Sequence, residues 1–274
     1  MPSSQCTSIN LSSQLKKAPM ALFLIEMEFQ ICYDCFMNKT SVIVLVGPPG
    51  AGKGTQADLL AEDFGFLHFE TSKIIEGKFN NAGAGDVEMA NQYEMFKSGK
   101  LNDPKLVRAW VVEEIEKIGK EKKSIVFSSS PRTIFEAEGE MPLLESLYGK
   151  ENIFAVNIEV SEEESMKRNS NRRICKANRH PIPNFPEFVG IETCPKDGSE
   201  IVTRVLDNPE TIKVRYATYL EETKPVLDFL EERGYKIIGI NGDQPINAVH
   251  DDIMNELHEE HASNHKDILN NLNG

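Results

Sequence analysis

A glycine-rich loop between an apolar run and a helix-forming segment is the feature that most constrains this chain. Residues 47–55 read Gly-Pro-Pro-Gly-Ala-Gly-Lys-Gly-Thr and follow the apolar run 42–46 directly. In the order strand, G-x-x-x-x-G-K, helix, several backbone N–H groups converge on one polyphosphate, and the helix N-terminus adds about half a unit of positive charge. The sequence therefore predicts a nucleotide-binding P-loop. It departs from the general pattern in one respect, because Gly54 follows Lys53 and the hydroxyl is delayed to Thr55.

Strand and helix patterns alternate from residue 42 onward. Short apolar runs lie at 42–46, 125–127, 153–160 and 235–240, with a weaker run at 66–69. Segments of helical period separate them, at roughly 53–63, 86–98, 104–120, 134–148, 162–169, 209–233 and 247–258. Nearly all-apolar strands that alternate with helices indicate a parallel sheet covered on both faces. The predicted fold is α/β, a P-loop three-layer sandwich with a parallel five-stranded sheet that binds ligands at the carboxyl ends of its strands.

The alternation marks out a core with two insertions. Residues 1–36 do not share the pattern, and we expect a disordered extension or a start codon placed too early, with Met37 as the natural beginning. The core then spans 37–258, and the polar residues 259–274 are expected to form a flexible tail. Two stretches leave the alternation: 71–103 is mostly helical, whereas 174–203 is rich in proline and has no convincing helix.

Composition excludes several classes of protein. A formal charge of −13 and a pI near 5.0 argue against a nucleic-acid partner, which normally requires a basic face. The apolar run 18–25 is too short and is followed too closely by acidic residues to span a membrane. Five scattered cysteines are too few for a disulfide framework, so a reducing cytoplasm is expected.

Two further motifs follow the P-loop in the chain. Pro131-Arg132-Thr133 follows the apolar run 125–127 after three serines, and Arg172-Arg173 follows the helical segment 162–169. Together these motifs resemble the adenylate kinase family of nucleoside-monophosphate kinases, over about residues 41–257. The resemblance implies transfer of the γ-phosphoryl of MgATP to a nucleoside monophosphate, most simply AMP (ATP + AMP = 2 ADP). It also implies a monophosphate-binding insertion at 71–103, a mobile lid at 174–203 and a monomeric protein.

The resemblance assigns roles to individual residues. Phosphoryl transfer needs two polyanions brought into line and their charge neutralised, work that suits the paired N–H donors of arginine. The catalytic cations implied are Lys53, Arg132, Arg172, Arg204 and Arg215. The residues implied for ATP are Gly50, Ala51, Gly52, Lys53, Gly54, Thr55, Arg168 and Arg172. The residues implied for the monophosphate are Thr71, Lys100, Leu101, Asn102, Ser129, Arg132, Glu136, Arg204 and Arg215.

The lid carries a candidate metal site. Zinc-bearing relatives have Cys-x-x-Cys followed by Cys-x-x-Cys or Cys-x-x-Asp, whereas this chain has Cys175-Lys-Ala-Asn178 and then Cys194-Pro-Lys-Asp197. Asparagine is a poor zinc ligand, and His180 is the nearest substitute. The prediction is a structural zinc on Cys175, His180, Cys194 and Asp197. The alternative is a lid that has lost its zinc and is held by packing alone.

Three departures from the family lie on the acceptor side. Ser128 stands where the family has the aspartate that helps to orient magnesium, and Glu76 stands where it has an arginine. Glu136 replaces the glutamine that reads adenine, and an ionised carboxylate, which only accepts hydrogen bonds, would better suit the guanine edge. Two alternatives therefore stay open. One is an ATP-binding protein with little or no turnover, and the other is a kinase for GMP or for a non-nucleotide acceptor.

Overall fold

A computed structural model of the chain describes residues 40–83, 85–170, 172–178, 180–182, 188–203 and 207–272, with side chains as far as residue 260. The chain divides into two compact units, residues 39–257 and residues 1–38 together with 258–274. The predicted extension 1–36 lies outside the described residues. The sheets, the insertions and the cavity treated below all belong to the unit 39–257.

Within the described residues, eight strands form two sheets. In chain order the strands are β1 (Val42–Val46), β2 (Leu67–Phe69), β3 (Ile125–Phe127), β4 (Ile153–Glu159), β5 (Arg173–Cys175), β6 (Pro181–Ile182), β7 (Ile201–Thr203) and β8 (Ile237–Asn241). Five of them form one sheet in the order β2-β3-β1-β4-β8, and every pair in it is parallel. The predicted parallel five-stranded sheet is thus confirmed.

Helices connect the parallel strands. They are α1 (Lys53–Phe64), α2 (Thr71–Asn80), α3 (Val87–Ser98), α4 (Pro104–Gly119), α5 (Ile134–Tyr148), α6 (Glu162–Ser170), α7 (Pro209–Thr218), α8 (Pro225–Glu232) and α9 (Ile246–Leu272). Among the described residues, no helix has the length and apolar character that crossing a bilayer requires. Residues 259–272 lie within α9. The helix thus continues beyond the end that the sequence predicts at His258, since neither proline nor glycine interrupts it.

The centre of the sheet is built from β-branched residues. All five residues of β1 are buried, and β1 pairs with β3 on one side and β4 on the other. Val42 lies opposite Ile125 and Ile153 in the two registers. A strand buried on both faces cannot spare a polar position, which is why β1 is apolar throughout. Its carboxyl end is therefore held firmly where the P-loop begins.

Both insertions take up structure of their own. The first holds α2 and α3, as its helical pattern predicts. The second forms a three-stranded antiparallel sheet in the order β6-β5-β7. A small apolar cluster lies beneath that sheet, centred on Cys175, Ile182 and Cys194. The predicted helix 209–233 is divided by a π-helical segment at Tyr219–Thr223, a feature that often occurs near functional sites.

Candidate active site

Close contacts with neighbouring residues require glycine at two positions of the P-loop. A Cβ on Gly47 would lie 2.4 Å from the Ile158 carbonyl oxygen, and one on Gly50 would lie 2.6 Å from Nδ2 of Asn169. Both residues also have positive φ, 149° and 82°, which disfavours any side chain. Gly52 then has φ 90° and leads into α1 at Lys53. The backbone thus turns tightly from β1 into the helix and points its N–H groups into one space.

Lys53 lies folded against the loop that precedes it. Its Nζ donates hydrogen bonds to the carbonyl oxygens of Gly47, at 2.6 Å, and Pro48, at 2.9 Å. Desolvation and, to a smaller extent, the positive charges of Arg132, Arg215 and Arg172 together lower the pKa of Lys53 to about 7. Because like charges reduce a lysine pKa only at close range, four cationic side chains converge on this point.

These cations surround a cavity of about 490 Å³. Its lining includes residues of the P-loop, α1, α3, α6, the β5–β6 region of the lid insertion and the start of α9. Of the predicted residues, those on the cavity wall are Gly50, Ala51, Gly52, Lys53, Gly54, Thr55, Lys100, Ser129, Arg132, Arg168, Arg172 and Arg215. The cavity therefore brings together most of the residues that the sequence assigns to ATP and to the transferring phosphates.

Arg132 is fixed by its own backbone surroundings. Its Nε donates to the Ser129 carbonyl at 2.8 Å, and its backbone N–H donates to Oε2 of Glu136 at 2.7 Å. Desolvation lowers the pKa of Arg132, and Glu136 opposes that change. An arginine remains charged even so. The guanidinium is consequently a preorganised cation at the carboxyl end of β3, next to the P-loop strand.

A buried carboxylate holds two of the other arginines. Arg172 makes a paired contact with Asp207, at 2.9 Å from Nε and 2.7 Å from Nη2, and Arg215 reaches the same carboxylate at 3.3 Å. The Asp207 side chain is fully buried. A shared carboxylate reduces the repulsion between two guanidinium groups and aligns both. Sequence reasoning missed Asp207, since nothing in the local pattern distinguishes it from the other acidic residues near a helix start.

Arg168 and Arg204 stand apart from this pair. Arg168 contacts Glu164 at 2.9 Å and the Gly242 carbonyl at 2.9 Å, at the edge of the cavity. That location agrees with a place beside the ATP base but does not test it. Arg204, predicted to bridge donor and acceptor, lies outside the described residues.

The acceptor side is only partly open to the cavities. Leu101 lines a smaller adjoining cavity together with Ser129, Arg132 and Arg215. Thr71, Asn102 and Glu136 are buried, at 2 %, 4 % and 2 % exposure, and are absent from the linings given for these two cavities. The Asn102 amide donates to Gln92. The hydroxyl oxygen of Thr71 is buried and has no hydrogen-bond partner within the described part of the chain, which leaves it available to a ligand.

The lid residues form a compact group of possible metal ligands. Cys175, His180, Cys194 and Asp197 each present one ligand atom, and these atoms lie within 4.8 Å of one another. Cys175 Sγ lies 3.3 Å from Asp197 Oδ2, and His180 Nδ1 lies 3.5 Å from Cys194 Sγ and 3.2 Å from Asp197 Oδ2. Bond lengths of about 2.0–2.3 Å in a tetrahedral zinc site put ligand atoms roughly 3.3–3.7 Å apart. The cluster could therefore hold a metal ion.

Comparison with known proteins identifies the family. The family model described as adenylate kinase matches residues 45–235. The chain belongs to the adenylate kinase family. It is 34 % identical over 220 residues to the adenylate kinase of Bacillus velezensis, which covers 78 % of this chain and 97 % of that protein. It is also 36 % identical over 214 residues to the adenylate kinase of Lysinibacillus sphaericus, covering 77 % and 95 %.

A third relative, the adenylate kinase of Staphylococcus aureus, is 34 % identical over 219 residues, which cover 78 % of this chain and 98 % of that protein. With a family match over most of the chain and relatives aligned over nearly their whole length, the adenylate kinase family member described here is a nucleoside-monophosphate kinase.

Proposed function

We propose that this enzyme transfers the γ-phosphoryl group of MgATP to AMP, giving two ADP. The observation that carries the proposal is the convergence of Lys53, Arg132, Arg172 and Arg215 around one cavity above the P-loop. Little covalent chemistry is needed in phosphoryl transfer. Positioning and charge neutralisation supply most of the catalysis.

Each cation has a distinct task in this proposal. The P-loop N–H groups hold the ATP phosphates, and Lys53 leaves the loop carbonyls to contact the transferring group. Arg132, fixed at the end of β3, binds the acceptor phosphate, and the hydroxyl of Thr71 supplies a further donor to it. Arg172 and Arg215, aligned by Asp207, lie between donor and acceptor and neutralise the charge that shifts during transfer.

Magnesium accompanies ATP in this family, and the cavity suits it. Thr55 and Ser128 both line the cavity, and their oxygen atoms are hard donors of the kind that Mg²⁺ prefers, directly or through water. When bound, the ion neutralises phosphate charge and holds the phosphate chain in position. Thr55, two residues after Lys53, is the hydroxyl that we assign to its coordination sphere.

The lid insertion lies over the same cavity. Ile174, Pro181 and Ile182 belong to its wall, and Lys196 of the lid pairs with Glu62 of α1. We infer that the lid excludes water during transfer and opens for product release, which would limit turnover. The tail 259–274 and the extension 1–36 have no assigned part in this cycle.

The acceptor base depends on Glu136. Burial raises the pKa of Glu136, and a protonated carboxyl group both donates and accepts hydrogen bonds, like the amide that it replaces. We therefore favour AMP, while an ionised Glu136 would favour GMP. In this proposal the preference for AMP or GMP depends on the protonation state of the Glu136 side chain.

The test is product formation from MgATP with AMP, GMP, CMP and UMP in separate reactions. We expect ADP from AMP, with an AMP-to-GMP ratio of kcat/KM that falls as the pH rises through the Glu136 pKa. Glu136→Gln should raise that ratio roughly tenfold and remove its pH dependence, because the amide cannot ionise. Glu138→Gln, on the exposed side of α5, is the matched control. ATP binding without phosphoryl transfer to any monophosphate would show that the kinase assignment is wrong.

A structural zinc is the second part of the proposal. The two thiolates, the imidazole and the carboxylate of the lid cluster are all competent zinc ligands. Asn178 is not needed as a ligand, since its Nδ2 donates to Asp197 at 2.9 Å and so orients that carboxylate. The apolar cluster beneath the lid is too small to hold its three short strands without a further link.

Removal of this zinc should destabilise the enzyme measurably. We expect one zinc per chain by elemental analysis, and a fall of roughly 5–10 °C in Tm after treatment with a chelator, equivalent to a few kcal/mol for a protein of this size. His180→Ala should reproduce the fall without any chelator, whereas Lys176→Ala, on the exposed lid surface, should not. No zinc in the protein as purified, together with an unchanged Tm, would mean that the lid is held by packing alone.

We further place the enzyme in the cytoplasm as a monomer. The lid thiols of Cys175 and Cys194 are free, and thiolate ligands persist in a reducing compartment. A sedimentation or scattering measurement of the mass in solution tests the monomer directly.

A further inference from the structure

Three side chains form a continuous hydrogen-bonded chain at the edge of the active-site cavity. Asp58 of α1 contacts His68 of β2, with 2.7 Å between Oδ1 and Nδ1. Nε2 of the same imidazole lies 2.7 Å from Oγ of Ser128, the first residue after β3. All three residues line the cavity that holds Lys53. The contacts join three separate elements, so the arrangement is a product of the fold rather than of one local segment.

The chain fixes the direction of the serine hydroxyl. A carboxylate can only accept a hydrogen bond, so when the imidazole is neutral its Nδ1 carries the proton and donates a hydrogen bond to Asp58. Nε2 is then the acceptor, and Ser128 must donate its hydroxyl proton to it. The lone pairs of Ser128 Oγ then remain available to accept a hydrogen bond from a ligand in the cavity. The serine thus acts as a hydrogen-bond acceptor, polarised by the negative charge of Asp58 through the ring.

Ser128 offers an acceptor beside a group of donors that suit phosphate. The P-loop N–H groups, Lys53 and the arginines are all donors, and the oxygens of an ionised triphosphate are all acceptors. Ser128 therefore cannot bind the phosphates themselves in this state, and its partner must carry hydrogen. Water bound to a divalent cation fits, since Mg²⁺ keeps several of its waters when it binds with phosphates, and those waters are strongly polarised donors.

We propose that Asp58 and His68 are positioning residues that hold Ser128 as the acceptor for magnesium-bound water. Ser128 carries no charge, and the relay polarises its hydroxyl towards Asp58, whose side chain is 28 % exposed beside the 10 % exposed imidazole. The relay would act on the hydrated ion through its water and needs no direct bond from Asp58, His68 or Ser128 to the metal. This inference rests on the proposed function, in that MgATP is the phosphoryl donor.

The test separates ATP binding from the effect of magnesium. Calorimetry gives the Kd for ATP with Mg²⁺ and with a chelator present, for the wild type, Asp58→Asn, His68→Phe and Ser128→Ala. Mg²⁺ should lower the Kd for ATP in the wild type, and we expect this effect to be about tenfold smaller in each variant. The Kd for metal-free ATP should stay unchanged. Ser128→Asp in the His68→Phe background should restore the tightening, since it places a carboxylate at position 128 directly.

Glu70→Gln is the matched control. Glu70 Oε1 lies 3.9 Å from His68 Nδ1, beyond hydrogen-bond distance, so this variant removes a charge from the same cavity wall and leaves the relay intact. An equal loss in Glu70→Gln and Asp58→Asn would show that only the local charge matters and would overturn the relay. If the affinity for ATP falls equally with and without Mg²⁺, Asp58 and His68 have only a structural role and the proposal is wrong. Failure of Ser128→Asp to restore the Mg²⁺ effect in the His68→Phe background would also overturn the proposal.

The outcome is independent of the kinase assay. A wild-type protein that shows the Mg²⁺ effect and the relay pattern but forms no ADP from AMP would refute the proposed acceptor and keep the relay. A wild-type protein whose ATP affinity does not respond to Mg²⁺ would refute the relay even if it turns over AMP.

Discussion

Arg132→Lys should lower kcat for phosphoryl transfer by roughly a factor of 10²–10³. The guanidinium is held by the Ser129 carbonyl and presents a rigid, paired set of donors at the end of β3. A lysine keeps the positive charge but offers a single mobile ammonium, so it cannot clamp two phosphate oxygens in a fixed orientation. Steady-state kinetics with AMP as acceptor measure the effect directly.

The comparison variant for this experiment is Arg233→Lys. Arg233 lies at the exposed end of α8, with its guanidinium 4.0 Å from the centre of the Phe229 ring. The same chemical change there should leave kcat unaltered. Similar kinetics for Arg132→Lys and the wild type would remove Arg132 from the transfer step.

Lys53→Met should reduce turnover by a factor of about 10³ or more, because no other cation lies on the P-loop itself to follow the transferring group. Methionine has nearly the same length, so the loop keeps its packing. Lys117→Met, on the exposed face of α4, controls for the loss of a lysine. Product formation from MgATP and AMP, followed over hours, is sensitive enough to measure the residual rate.

The pKa of Lys53 gives this variant a second readout. In the empty protein that pKa is lowered to about 7, so near pH 8 most of the molecules carry a neutral amine. A bound polyphosphate favours the ammonium form and raises the pKa, and ATP binding should therefore take up protons between about pH 7 and the usual lysine pKa near 10.4. Calorimetry in two buffers of different ionisation enthalpy measures that uptake. It should be lost in Lys53→Met, and its persistence would assign it to another group.

Local patterns in the sequence were sufficient for the core of the fold. β1 and β3 occupy the residues predicted for them, and α5 begins and ends where its pattern indicates. Such segments are predictable because burial on both faces demands apolar, β-branched residues, and a helix demands its own period. The prediction is less accurate at the edge of the sheet, where β8 begins at Ile237 and not at residue 235. Residues at a sheet edge are under weaker packing constraints.

The candidate site was predictable where its members belong to contiguous motifs. Lys53 and Arg132 each lie in a short motif that follows a buried strand, so their sequence neighbours place them at the carboxyl edge of the sheet. The resemblance to zinc-bearing relatives also implies the four lid residues as candidate ligands, and the fold brings their ligand atoms within 4.8 Å of one another. Asp207 was missed because its importance comes from Arg172, 35 residues earlier in the chain.

The amino-acid sequence by itself determined the P-loop and the parallel order of strands and helices, and its resemblance to a family supplied the cations that we propose for phosphoryl transfer. It also showed that position 128 carries no charge. Only the tertiary structure decided how that position is used, by placing His68 and Asp58 against Ser128 from two other elements. Hydrogen bonds between distant segments depend on distance and direction, and one-dimensional patterns record neither. The sequence therefore specified the chemistry of the chain, and the packing of its elements specified which atoms share a proton.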